Sequence, residues 1–268
     1  MTLNTPNSDR SELPTDRAHS NIWLSLWRMA RMLWGTLRVV PPYYFGQFRY
    51  KTEAERVDLL YRGTQDWLAA MARAIDVDVT VEGTPPEKGS FIAPNHITYA
   101  DIAVLPVALR VWFVSKADVL RWPLFSWLFR FSRNLTVDRD DIRCLKATNQ
   151  AIAQRIHDGY NVCVFLEGTS SGGGDILPFR GPLLQPALDG AVDVVPVCIT
   201  WHADDPAITL EHDIAFWRDH PMVPHILRFL GFRGIHCTIH FGTPIKAEGD
   251  RNHDRQASHQ GPNHFEGE

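Results

Sequence analysis

Long apolar runs are missing from this 268-residue chain. No stretch free of charged side chains exceeds twelve residues, the two longest being Gly89–Ala100 and Gly234–Ile245. A bilayer-spanning helix needs about twenty mainly apolar residues, so an integral membrane protein is not expected. No charged-then-apolar leader with a small-residue cleavage site opens the chain, which argues against secretion. Cysteine is scarce: Cys144, Cys163, Cys198 and Cys237 are widely spaced, with no CxxC and no Cys/His zinc pattern. Cys163 and Cys198 sit inside apolar runs and read as core residues of a protein in a reducing cytoplasm. His236 and His240 could share a strand face, but no third ligand has a matching spacing, so no metal is expected. GxGxxG and GxxxxGK[ST] loops are absent, which leaves a dinucleotide or Walker-type site unsupported; no cofactor is expected. Positive charge is not in surplus either. Lys and Arg total 27 against 31 Asp and Glu, a net charge of −4, which implies no general affinity for nucleic acid.

What is present is an ordinary globular composition, 44% hydrophobic and 22% charged, with an unusual number of tryptophans. Three of the nine, Trp23, Trp27 and Trp34, fall close together. Asn21 to Val40 reads as a helix stopped by Pro41-Pro42. At 100° per residue, Trp23, Leu26, Trp27, Met29, Leu33, Trp34 and Leu37 share one face, and Arg28, Arg31 and Arg38 form a flank. Trp at headgroup depth beside Arg is the pattern of a helix lying in a bilayer interface. The same face could instead pack on the protein's own core. A second helix, about Thr52 to Ile75, would complete a hairpin. Residues 1–20 and 247–268 are polar and aperiodic and are expected to be disordered.

From Val77 to Lys246 the pattern alternates. Strands are expected at Val77–Glu82, Ser90–Pro94, Val111–Ser115, Thr136–Val137, Val162–Leu166, Val194–Thr200 and Ile235–Phe241. Helices are expected at Ile102–Leu109, Pro123–Phe131 and Asp141–Asp158. This alternation predicts an α/β fold with a mostly parallel or mixed sheet flanked by helices. Ligand chemistry in such sheets gathers beyond the strand C-terminal ends. Two polar segments lie there: Asn95-His96-Ile97-Thr98-Tyr99-Ala100-Asp101, and Glu167-Gly168-Thr169-Ser170-Ser171-Gly172-Gly173-Gly174. The His-x4-Asp spacing alone is expected about once by chance at this composition. Asp101 could also be an ordinary helix cap.

Taken together, Asn95–Asp101, Val137-Asp138-Arg139, Phe165–Ser171 with Leu177-Pro178-Phe179-Arg180, and Val194-Val195-Pro196-Val197 resemble the four ordered motifs of the glycerolipid acyltransferases, the lysophosphatidate acyltransferase family. Phe113-Val114-Ser115-Lys116 resembles a further family segment. The likeness covers about Val81 to Thr200, nearly half the chain. It implies transfer of an acyl group from acyl-CoA or acyl-carrier protein to a lysolipid hydroxyl, at the cytoplasmic face of a membrane that the protein binds peripherally through anionic lipid. His96 would be the general base and Asp101 would orient its ring. An ordinary imidazole, with a pKa of about 6.5, suits that task at neutral pH. Glu167, Gly168, Thr169 and Arg139 match acceptor-binding positions; Arg180, and more weakly Lys116 and Arg121, match a cationic surface for the donor's phosphates.

Two positions depart from the family pattern. Leu166 stands where the family has proline, and Ser170 stands where it has the arginine expected to hold the acceptor's phosphate. Family membership points first to 1-acylglycerol-3-phosphate as acceptor, giving phosphatidate. The missing arginine, and Leu-Pro-Phe-Arg downstream, look closer to the branch that acylates lyso-ornithine lipid. Two readings of other classes stand beside these. Gly168-Thr169-Ser170-Ser171-Gly172 formally matches Gly-x-Ser-x-Gly, so Ser170 could be a hydrolase nucleophile, although three successive glycines argue against the helix that a nucleophile elbow requires. A non-catalytic lipid-binding protein would keep the fold without needing His96 and Asp101. Residues 201–234 carry no assignable motif.

Overall fold

A computed structural model describes residues 19–116, 128, 131–138, 141–190, 192–218 and 220–247. The expected disorder at both ends lies outside the described residues, as do most of the helix expected at Pro123–Phe131 and position 139. Among the described residues seven strands form one sheet: β1 (Asp78–Glu82), β2 (Phe91–Pro94), β3 (Trp112–Lys116), β4 (Leu135–Val137), β5 (Val162–Cys163), β6 (Val194–Ala203) and β7 (Ile235–Phe241). Their order is β1-β7-β6-β2-β5-β3-β4. All pairs are parallel except β6–β7, which run antiparallel from Val197–Phe241 to Ala203–Ile235. The sheet is thus mixed. Central β2 is buried on both faces: Phe91 and Ala93 join one core cluster and Ile92 the other. This explains why it reads as a continuous apolar run.

Six α-helices lie wholly within the described residues: α1 (Ile22–Gly46), α2 (Glu53–Ile75), α3 (Asp101–Ala108), α4 (Ile142–His157), α5 (Gln185–Gly190) and α6 (Met222–Leu230). Side chains close the starts of α1, α2 and α4 as their residue types predict. Asn21 accepts from the N–H groups of Trp23 and Leu24, Thr52 and Glu55 form a reciprocal capping box, and Asp141 accepts from those of Arg143 and Cys144.

Pro41 and Pro42 do not stop α1, which runs on to Gly46. Proline's fixed φ is compatible with helix even though its missing N–H is costly there. Packing against α2 on both sides of the pair outweighs that cost. Trp67 Nε1 donates to Thr36 Oγ1 at 3.0 Å, Val40 is fully buried, and Tyr43 donates to Asp66. Tyr43 comes so close to α2 that a Cβ on Gly63 would sit 2.5 Å from its ring.

Arg28 does not face outward with the cationic flank. It is buried, donating to the carbonyls of Leu230 at 3.1 Å and Phe232 at 2.5 Å and to Asp76 at 2.9 Å. Arg31 donates to the Arg73 carbonyl and lies over the Trp27 ring. Arg38 is exposed. The apolar face nonetheless points away from the domain: Trp23 is 77% exposed, Trp34 66%, Leu33 61% and Phe45 66%. By contrast, α2 joins the core through Leu68 and Ile75. Among the described residues, no helix is long and apolar enough to cross a membrane.

Candidate active site

The parallel strands β2 and β5 end side by side, and the polar segments that follow them are joined through His96. Its backbone N–H donates to Glu167 Oε1 at 2.8 Å, and its carbonyl accepts the Ser171 N–H at 2.8 Å. Asn95, just before, bonds to β6 through both ends of its amide. Its Nδ2 donates to the Ile199 carbonyl at 3.0 Å, and its Oδ1 accepts the Ile199 N–H at 2.7 Å. The turn carrying His96 is therefore held from two directions.

His96 Nδ1 lies 2.9 Å from Asp101 Oδ2. Asp101 is fully buried, whereas the His96 side chain is 18% exposed. The imidazole stacks on Phe165 with ring centroids 4.0 Å apart. With Nδ1–H directed at the carboxylate, the basic nitrogen is Nε2, which has no partner among the described residues. Asp101 does not cap α3, since its oxygens face backward. Oδ2 also accepts the N–H groups of Ile97 at 2.8 Å and Thr98 at 3.0 Å, and Oδ1 accepts Trp201 Nε1 at 2.8 Å.

Glu167 is buried, and its second oxygen accepts the Leu177 N–H at 2.8 Å. Burial holds its carboxyl above the ordinary glutamate value, opposed by those two backbone N–H groups and by His96. Gly168 adopts φ +78°, a left-handed turn that favours glycine, and Thr169 is exposed beyond it. Arg180 is exposed, and its N–H donates to the Leu166 carbonyl, which brings the Pro-Phe-Arg element alongside the loop. Arg139, Arg121 and the side chain of Lys116 lie outside the described residues.

Ser170 is not poised as a nucleophile: its hydroxyl donates to the carbonyl of Phe216. No helix follows it, and a Cβ at Gly172 would meet the Trp217 ring at 2.7 Å. Phe216 and Trp217, from the stretch without an assignable motif, thus lie against this loop. Phe216 also donates its N–H to the Ile97 carbonyl at 2.9 Å. Trp201 and Phe216 are the contributors that sequence reasoning missed. Trp201 had a signal, because Val195, Val197, Ile199 and Trp201 continue one buried face of β6 at period two. Phe216 had none.

The acyltransferase family profile matches residues 76–200. The lyso-ornithine lipid O-acyltransferase of Pseudomonas aeruginosa is 32% identical over 200 residues, covering 73% of this chain and 74% of that protein. That of Rhodobacter capsulatus is 30% identical over 186 residues, 64% of this chain and 65% of that protein. The 1-acyl-sn-glycerol-3-phosphate acyltransferase of Neisseria gonorrhoeae is 27% identical over 131 residues, 48% and 51%. The crystal structure of the 1-acyl-sn-glycerophosphate acyltransferase PlsC from Thermotoga maritima shares the fold, with a TM-score of 0.65 at 19% identity over 90% of this chain and 94% of that one. The chain belongs to the acyltransferase family. More narrowly, the relatives named here are O-acyltransferases of lyso-ornithine lipid and acyltransferases of 1-acyl-sn-glycerol-3-phosphate.

Proposed function

We propose that the acceptor is a lysolipid without an exposed phosphomonoester, with lyso-ornithine lipid the first candidate, and that His96 is the base. One observation carries the acceptor reading. Ser170 replaces the family's arginine, and its hydroxyl is already engaged by the Phe216 carbonyl. A charge-assisted grip on phosphate is therefore missing at that position. The names of the Pseudomonas and Rhodobacter relatives agree with this. Lysophosphatidate, implied by family membership alone, is the second reading.

In the proposed reaction, His96 Nε2 takes the acceptor's hydroxyl proton as that oxygen attacks the thioester carbonyl. The C–S bond of the tetrahedral adduct then breaks, and the leaving sulfur takes the proton back from the imidazolium. Asp101 holds Nδ1–H throughout. The donor is acyl-CoA or acyl-carrier protein. Gly168 and Thr169 bound the acceptor site, Arg139 is a matched cation for it, and Lys116 and Arg180 are matched cations for the donor. The exposed tryptophan face of α1 rests in the cytoplasmic headgroup region of the membrane, where such donors are available.

The test is a panel of labelled acyl-CoA and acyl-carrier protein against lyso-ornithine lipid, lysophosphatidate and lysophosphatidylcholine. Preferred acylation of lyso-ornithine lipid is expected, and its loss in His96→Ala. Clear preference for lysophosphatidate overturns the acceptor reading. Binding without turnover of any lysolipid would favour a lipid-binding protein.

A further inference from the structure

The motifs account for every partner of the His96–Asp101 pair except Trp201. It stands on β6, 100 residues from Asp101 in sequence, and is buried. Its strand continues past the family's Val-Pro-Val/Ile element because β7 pairs with it antiparallel, Trp201 opposite Cys237. Phe229 of α6 meets the indole edge-on at 6.1 Å.

Asp101 Oδ2 accepts three N–H groups, whereas Oδ1 has only the indole among the described residues. Indole nitrogen donates and never accepts, so the direction of this bond is certain. It is also the bond that fixes rotation of the carboxylate about the axis set by Oδ2. The titratable groups facing the pair are Glu167 beside His96, Cys163 on β5 and Cys237 on β7. Burial and the Asp101 charge push both thiols up, which leaves them neutral at neutral pH.

We propose that Trp201 is a positioning residue for acyl transfer: its N–H fixes the Asp101 carboxylate and disperses its charge, and through Asp101 it sets the orientation and basicity of His96. This rests on the reading of His96 as the base.

Two variants test it in the full-length protein. Trp201→Phe removes the donor and part of the ring. Benzothienylalanine at position 201 replaces only the N–H, with sulfur, in a ring of the same shape. In both, kcat is expected to fall about tenfold or more, the worth of a hydrogen bond to a charged group. KM for either substrate stays within about twofold, because Trp201 is buried and its N–H is engaged by Asp101. The acid limb of the pH–rate profile moves to higher pH, since a carboxylate with one donor fewer holds the imidazolium more tightly. Wild-type kcat and pH profile in the benzothienylalanine protein, whatever its Tm, overturns the proposal; that variant also decides if Trp201→Phe does not fold. His96→Ala, run in parallel, separates the two levels. Full turnover in His96→Ala overturns the reading of the base itself, whereas its loss beside an unaffected benzothienylalanine protein overturns only the role of Trp201.

Discussion

Glu167 receives the backbone N–H of His96 at 2.8 Å, so a residue matched by family to acceptor binding also builds the turn that carries the proposed base. Its other oxygen receives Leu177. A glutamine there offers one acceptor oxygen where two are needed, and its NH2 group would face a backbone N–H. Glu167→Gln is expected to lower kcat about tenfold or more. A steady-state assay checks this, with circular dichroism to confirm the fold.

The same carboxyl has a pH signature. Its folded pKa is raised by burial, so ionising it costs more in the folded protein than in the unfolded one. Its contribution to stability therefore falls as pH rises from below the ordinary value of about 4.3 through the raised folded value. Between pH 4 and 7, thermal unfolding of Glu167→Gln should lose that part of the pH dependence. An unchanged slope would refute the assignment.

Arg28 is expected to be a structural residue. Replacing it with Met strips donors from the carbonyls of Leu230 and Phe232, which lie under α1. The expected loss is about 2–4 kcal/mol, measured by denaturant unfolding.

The exposed aromatic face should behave oppositely. Trp23→Ser with Trp34→Ser changes two side chains that are mostly in solvent. Tm should move by no more than a few degrees, and binding to anionic vesicles should weaken at least tenfold. Unchanged vesicle binding would mean that this face does not meet the bilayer. Deleting the whole arm would be a poorer test, because Ser25, Arg28 and Val40 are buried and their loss would uncover the domain.

Ser170→Ala should retain transfer activity within a fewfold of wild type, since it removes one hydrogen bond to the Phe216 carbonyl and no nucleophile. Complete loss of activity, with an acyl-enzyme detectable in the parent protein, would restore the hydrolase reading.

Much of the candidate site's arrangement was legible in advance because its parts are local. His96 and Asp101 lie within one turn, and Glu167 to Ser171 form one loop. Apolar patterning placed the seven strands to within a few residues: a period of two marks β7, and a continuous apolar run marks β2, which is buried on both faces. The helix stop at Pro41 was misread because local propensity is weak against packing. Thr36, Val40 and Tyr43 all find partners or burial on or beside α2, and the helix continues through its prolines.

By itself, then, the amino-acid sequence determined the alternating α/β pattern and the four motifs on which the proposed chemistry rests, all properties of side chains close together along the chain. Only the tertiary structure decided that Trp201 reaches Asp101, that Phe216 occupies Ser170, and that Arg28 points inward while Trp23 and Trp34 point outward. Those contacts join residues from about 46 to 200 positions apart. They exist because antiparallel pairing of β6 with β7 and packing of α6 against α1 bring distant segments together, and no local spacing encodes that.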